Sequence, residues 1–174
     1  MKKKSNKVVK FIDDLHKHIV NNKSFRKRTR GKSEVQIQTE IRPLILDFLK
    51  KWFKDSGVID YENKAHKSFY WEGEEGRDKS KKKNLFGSFN YPDFIIKKPY
   101  KIAVEYKQSP NGSVVKQGIG QSIMHTTSGD YDFAYLLIHD QSNGKRVKDS
   151  VVNETETGII DNLWKEYNIR MSVI

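Results

Sequence analysis

Residues 91–107 read YPDFIIKKPYKIAVEYK, two apolar runs joined by a short polar segment. Each run is β-branched enough to form a strand, and Pro99 marks the segment between them as a turn. If the two strands pair antiparallel about Pro99, Asp93 lies directly opposite Glu105, with Cβ atoms about 4.5–5.5 Å apart. Two carboxylates at that separation repel each other unless a cation lies between them. The spacing therefore predicts a divalent-metal site on this hairpin.

The second strand carries a lysine beside its acid. Side chains alternate along a strand, so Lys107 points to the same face as Glu105, whereas Tyr106 points to the other face. The chain has no cysteine, and none of its five histidines stands at a zinc-ligand spacing, so a metal here would be a hard, oxygen-bound cation. The alternative is a solvated edge at which Lys107 pairs with one of the acids.

Pro92-Asp93 followed by Glu105-Tyr106-Lys107 resembles the motif of the PD-(D/E)XK nucleases, the restriction-endonuclease-like superfamily. Apolar strands flank both halves of the motif, the connection is tight, and a helix is predicted after it. The resemblance covers roughly residues 34–140. It implies an α/β fold with a restriction-endonuclease-like αβββαβ core, a mixed central sheet flanked by helices. The basic N-terminal helix and arm lie outside it.

The resemblance also implies roles for particular residues. In similar enzymes the acids bind one or two Mg²⁺ ions, for which Mn²⁺ is expected to substitute. Carried onto this chain, the ligands are Asp93, Glu105 and the main-chain carbonyl of Tyr106, while Lys107 orients or helps to deprotonate the attacking water. Glu40 best matches a further glutamate ligand that many members supply from the helix before the sheet. An ordinary surface charge is the alternative for Glu40.

The sequence pattern of residues 113–127 predicts a helix, in which Gln117, Gln121 and His125 lie on one face. Other members of the superfamily place a glutamine on this helix, so Gln117 and Gln121 are further candidates for the catalytic site. Exposed helix amides are the competing interpretation. Some exonuclease-like members have tyrosine four residues after the glutamine, whereas this chain has His125.

The net charge of +11 is concentrated at the N-terminus. Residues 1–33 contain twelve basic and two acidic residues, whereas the rest of the chain contains 21 and 20. Such an arm suits contact with a phosphate backbone, although a solubilising tail or a targeting run is the alternative. The predicted nucleic-acid-binding residues are Arg26, Lys27, Arg28, Arg30, Lys32, Lys81, Lys82 and Lys83.

Periodicity predicts the remaining elements. A helix is expected near residues 6–21, and a capping box of Ser33 and Gln36 opens a second helix that ends at 56–57. Pro43 either kinks that helix or marks its true start at residues 40–43. The later predictions are a first strand at 61–71, a long mobile loop at 72–88, a central strand at 131–140, a helix at 154–167 and a strand at 169–174. The predicted domains are residues 1–32, a helix and basic arm, and residues 33–174, the nuclease domain.

These observations predict a Mg²⁺-dependent endonuclease that hydrolyses DNA, of a restriction or structure-specific type. A homodimer is expected, because cutting two strands with one site each commonly uses two-fold symmetry. No apolar run reaches the roughly 20 residues of a membrane helix, so no membrane partner and a cytoplasmic location are expected. The alternatives are a Holliday-junction-resolvase-like enzyme, an RNA-cleaving nuclease, and a catalytically silent DNA-binding module of the same fold.

Overall fold

The computed structural model describes residues 6–22, 25, 31–72, 83–85, 88–109, 111–151 and 154–174, with the backbone alone at 83–85, 88–90 and 154–156. The chain divides into two compact units, residues 1–68 and 69–174, whereas the sequence pattern predicts a domain boundary after residue 32. Several predicted nucleic-acid-binding residues lie outside the described part, namely Arg26, Lys27, Arg28, Arg30, Lys81, Lys82 and the side chain of Lys83.

The first unit is helical. Its described helices are α1 (Asn6–Val20), α2 (Glu34–Asp55) and α3 (Tyr61–Ser68). The ring of Phe11, on α1, lies edge-on to those of Phe48 and Trp52 on α2, with centroids 5.1 and 4.9 Å away. Phe11 is fully buried. The predicted N-terminal helix is therefore confirmed, and it is part of the core of its unit.

Helix α2 begins where the capping box predicts. Ser33 Oγ accepts from the N–H of Gln36, and Gln36 Oε1 accepts from the N–H of Ser33. The helix continues through Pro43, which lies on its exposed face, so the alternative start at residues 40–43 is wrong. Gly57 follows the helix with a φ of +76°, a conformation that glycine adopts without steric cost.

The segment predicted as the first strand is mostly a helix. Residues 61–68 form α3, and only Phe69–Trp71 (β1) is a strand. Ala65 and Ser68 are buried and Tyr61 is half-buried, which is a helical spacing that the mixed aromatic and polar composition obscured. Asp60 Oδ2 accepts from Asn63 Nδ2 at 2.8 Å, at the amino end of this helix.

The second unit contains a five-stranded mixed sheet. After β1 the strands are β2 (Lys83–Leu85), β3 (Ser88–Asn90), β4 (Phe94–Ile96), β5 (Ile102–Ser109), β6 (Phe133–Asp140) and β7 (Ile169–Val173). The sheet order is β1-β4-β5-β6-β7, antiparallel from β1 to β5 and parallel from β5 to β7. Strands β2 and β3 form a separate antiparallel pair, so the prediction of one long loop at residues 72–88 is wrong for residues 83–85 and 88.

The described part of the second unit contains three α-helices. They are α4 (Gly112–Thr127), α5 (Arg146–Val151) and α6 (Glu154–Tyr167), of which α4 and α6 were predicted. A buried apolar cluster joins α5 and α6 to one face of the sheet, and α4 packs against it through Val115, Ile119 and Ile123. The architecture is therefore α/β, with helices on the face of the sheet that carries Ala103, Leu136 and Ile138. Within the described part of the chain, no helix is both long and apolar enough to cross a membrane.

Candidate active site

The hairpin of β4 and β5 has the register that the sequence predicted. Phe94 pairs with Val104 and Ile96 pairs with Ile102. Continuing this ladder by one residue places Asp93 opposite Glu105. Both acids are buried, with 7% and 1% of their surface exposed. Carboxylates that are withdrawn from water in this way need compensating partners.

The carboxylate of Asp93 accepts a hydrogen bond from the backbone of β5. The N–H of Tyr106 donates to Asp93 Oδ2 at 2.7 Å, which fixes the orientation of this carboxylate. In a strand the N–H and C=O of one residue point to the same side, so the carbonyl of Tyr106 also points to the β4 side of β5. This is the carbonyl that the sequence motif predicts as a metal ligand.

Lys107 lies beside Glu105, as strand alternation predicted. Its Nζ is 3.6 Å from Glu105 Oε2, and the lysine side chain is 13% exposed. Helix α4 holds the lysine stem closely, because a Cβ at Gly118 would lie 3.2 Å from Lys107 Cγ and 3.0 Å from Leu136 Cδ1. Gly118 therefore permits the close packing of this helix on the sheet. Gly120 has open space around it and has no such role.

The closest side-chain partner of Glu105 is His125, to which the sequence pattern assigned no role. His125 Nε2 lies 2.6 Å from Glu105 Oε1, and the histidine is 3% exposed. Because a carboxylate only accepts, the assigned hydrogen bond runs from Nε2–H to Oε1. The signal in the sequence is the helix face that His125 shares with Gln121, where some members of the resembling family have a tyrosine in place of the histidine.

The two glutamine candidates have different environments. Gln117 is exposed, whereas Gln121, one turn before His125, is half-buried. Gln121 Oε1 is buried and has no hydrogen-bond partner among the described groups. A buried amide oxygen without a partner costs free energy, so such a group needs an explanation, of which a bound ligand is one. The geometry therefore favours Gln121 over Gln117 as a site residue.

The remaining ligand candidate, Glu40, lies on α2 in the first unit. Lys32 Nζ donates to Glu40 Oε1 at 2.8 Å. This ion pair brings together one predicted metal ligand and one predicted nucleic-acid-binding residue. Both side chains are partly exposed, so the contribution of the pair to stability is small.

The side chain of Tyr106 points to the face of β5 opposite that of Glu105, where it contacts a second histidine, His139. Its hydroxyl lies 3.0 Å from His139 Nδ1. Burial, followed by the positive charge of Lys145, lowers the pKa of His139 against the opposing effect of Asp140. The direction of this hydrogen bond depends on the tautomer of the imidazole, because a neutral Nδ1 accepts from the hydroxyl and a protonated Nδ1 donates to it. This contact holds the residue whose backbone binds Asp93.

The donor set fits a magnesium ion. Among the described residues there is no group of three or more His, Cys, Asp or Glu side chains that could hold a metal. Mg²⁺ does not need such a group, because it is commonly held by one or two carboxylates and retains several waters. Asp93 and Glu105 supply two oriented carboxylates, and the Tyr106 carbonyl is a third oxygen on the same side. These are hard oxygen donors of the kind that Mg²⁺ and Mn²⁺ prefer.

Comparison of this chain with protein-family models, with curated proteins and with solved structures finds no match.

Proposed function

We propose that this protein is a Mg²⁺-dependent endonuclease that hydrolyses phosphodiester bonds in DNA, of a restriction or structure-specific type. The observation that carries the proposal is the placement of Asp93 opposite Glu105, with Lys107 beside Glu105. Placing two carboxylates at facing positions in a buried hairpin is unfavourable without a cation. Folds alone do not fix function, so the proposal rests on this site.

Each residue has a distinct role in the proposed reaction. Asp93, Glu105 and the Tyr106 carbonyl would hold the metal, and Lys107 contributes a positive charge next to the site. When bound, Mg²⁺ lowers the pKa of coordinated water and stabilises negative charge on a phosphate under attack. The ammonium group of Lys107 donates hydrogen bonds to the attacking water and to a phosphate oxygen, and so orients both. The Lys107 side chain is partly exposed, with 13% of its surface in contact with solvent.

The order of elements supports a PD-(D/E)XK-like core. A long helix, α2, precedes β1, β4 and β5, which are followed by α4 and β6. This is an αβββαβ order, with α3 and the β2–β3 pair as additions. In the proposed core the motif acids are Asp93, immediately before β4, and Glu105, within β5.

DNA is the proposed substrate because of the charge of the N-terminal unit. Residues 1–68 contain 18 basic and 8 acidic residues, a net charge of +10. A polyanion is the partner that such a field attracts, and its phosphates give affinity without sequence preference. A homodimer is proposed for cleavage of both strands, since one site cuts one strand.

The proposal is tested by a cleavage assay on four substrates: linear duplex DNA, a four-way junction, single-stranded DNA and RNA. We expect cleavage of a DNA substrate with Mg²⁺ or Mn²⁺ and none with EDTA or Ca²⁺. Asp93→Asn and Glu105→Gln should each reduce cleavage by about 10²–10³-fold, since each removes several kcal/mol of charge stabilisation.

Asp132→Asn is the matched control, because Asp132 is an exposed aspartate just before β6 and the variant should behave as wild type. Cleavage that survives chelation, or that persists in both site variants, would refute the proposal. Cleavage of RNA alone would mean that the substrate is RNA and not DNA. Tight DNA binding without cleavage would identify a catalytically silent binding module.

A further inference from the structure

His125 and Glu105 form a buried pair between α4 and β5. The 2.6 Å contact joins Nε2 to Oε1, and both side chains are almost fully removed from water. The imidazole is itself confined, because its ring meets that of Tyr131 edge-on with centroids 5.7 Å apart. A buried carboxylate needs hydrogen-bond donors, and this histidine supplies one at short range.

The two carboxylate oxygens of Glu105 have different neighbours. His125 occupies Oε1, and Oε2 is the oxygen nearest to Lys107, at 3.6 Å. A glutamate side chain has three rotatable bonds, and removal of the donor to Oε1 would release the carboxylate from this orientation. The histidine does not need to contact a metal or a substrate to have this effect.

We propose that His125 is a positioning residue for metal binding, which acts by holding the Glu105 carboxylate in its ligating orientation. This inference rests on the proposed function, since it assumes that Glu105 is a metal ligand. Hydrogen-bond partners of ligating carboxylates set the affinity of metal sites, and removal of one typically costs about 10- to 100-fold in affinity. His125 is the closest such partner of Glu105.

The experiment measures Mn²⁺ affinity of the full chain without DNA, from the free-Mn²⁺ signal in electron paramagnetic resonance. His125→Leu removes the donor and puts an apolar side chain in its place. His125→Gln instead places an amide nitrogen near the position of Nε2. We expect the Kd for Mn²⁺ to rise about 10- to 100-fold in His125→Leu and to be largely restored in His125→Gln. His66→Leu, at an exposed position on α3, is the control.

Cleavage supplies a second readout. The Mg²⁺ concentration that gives half-maximal cleavage should rise in His125→Leu, while the rate at saturating Mg²⁺ returns close to that of wild type. Thermal unfolding checks that each variant is folded. If His125→Leu does not fold, His125→Asn replaces it, because its shorter amide does not reach Oε1.

The outcomes separate this inference from the proposed function. Equal Mn²⁺ affinity in wild type and a folded variant lacking the donor would overturn the role of His125 and leave the metal site standing. Failure of His125→Gln to restore affinity would also overturn it, since the effect would then not depend on the hydrogen bond. Absence of Mn²⁺ binding to wild type would refute the metal site, and with it both proposals.

Discussion

The two units of this chain differ in their charge and in the side chains that they bury. Residues 1–68 carry a net charge of +10, whereas residues 69–174 contain 15 basic and 14 acidic residues and a net charge of +1. The first unit is helical with an aromatic core, and the second contains the sheet with its buried acids. Charge that acts at long range does not need precise placement, whereas acids that bind a metal do. Under the proposed function, most of the charge that attracts DNA would lie in the first unit and the facing acids Asp93 and Glu105 lie in the second.

The largest effect, a loss of stability, is expected from a substitution in the core of the first unit. Phe11→Ala should destabilise this unit by about 3–5 kcal/mol, because it removes a fully buried ring that packs on two others. Denaturant unfolding followed by tryptophan fluorescence measures the change. The control Val35→Ala, at a residue that is 66% exposed, should change stability by less than about 0.5 kcal/mol. A destabilisation below about 1 kcal/mol for Phe11→Ala would mean that α1 is a removable arm.

This result also decides how the basic arm can be studied. Phe11, Ile12, Leu15 and Ile19 are all buried, so deletion of residues 1–32 removes core side chains together with the charges. Substitution of charges in place is therefore the cleaner experiment.

The next effect separates catalysis from binding. Lys107→Ala should reduce cleavage at saturating DNA by about 100-fold or more, the order expected when a charged donor at a reacting phosphate is removed. DNA affinity should change only a few-fold, since one lysine is a small part of a multi-phosphate footprint. Lys101→Ala, at an exposed position before β5, is the control. Equal reductions of binding and cleavage would make Lys107 a docking residue.

A smaller effect tests how α4 supports the site. Gly118→Ala should destabilise the protein by about 1–3 kcal/mol, because the new methyl meets Leu136 and Lys107 at 3.0 and 3.2 Å. Its cleavage rate at saturating DNA should fall as Lys107 is displaced. The matched change Gly120→Ala meets nothing within 4 Å and should be neutral or stabilise by up to about 1 kcal/mol. Identical behaviour of the two variants would show that the helix does not constrain Lys107.

The smallest effect concerns the basic residues between positions 26 and 30, called the basic linker below. Replacing Arg26, Lys27, Arg28 and Arg30 with glutamine should flatten the slope of log K against log salt, by up to about 0.9 for each phosphate that the linker no longer neutralises. Cleavage at saturating DNA should persist, because Asp93, Glu105 and Lys107 are unchanged. Fluorescence anisotropy with a labelled duplex at several salt concentrations gives the slope.

A matched control removes four charges elsewhere in the same unit, at Lys51, Lys54, Lys64 and Lys67. The linker variant should change the salt slope more than this control does. Equal slopes in the two variants would show that the linker has no special contact with DNA.

Sequence patterns predicted the hairpin because its constraints are local. Pro99 fixes the turn, and the apolar runs on both sides fix which residues face each other, so the opposition of Asp93 and Glu105 followed directly. Helix α2 was predicted for the same reason, since a capping box and a glycine after its end are short-range signals. These features depend on neighbours within a few residues.

The features that the sequence did not predict depend on contacts between distant residues or on weak local signals. Residues 61–68 are polar and aromatic without a strong period, so composition favoured a strand where Ala65 and Ser68 in fact form the buried face of a helix. The contact between His125 and Glu105 depends on how α4 packs on β5, which periodicity does not specify. Propensity gives the element, but tertiary packing decides which side chains meet.

The proposed metal site is tested most directly by the position of Mn²⁺ in crystals of the protein grown with that ion, located by anomalous scattering. We expect a peak coordinated by the carboxylates of Asp93 and Glu105 and by the carbonyl of Tyr106. The peak should disappear in Asp93→Asn crystals and remain in Asp132→Asn crystals. An ordered ion bound elsewhere, or no ion between these acids at concentrations that support cleavage, would contradict the proposed site.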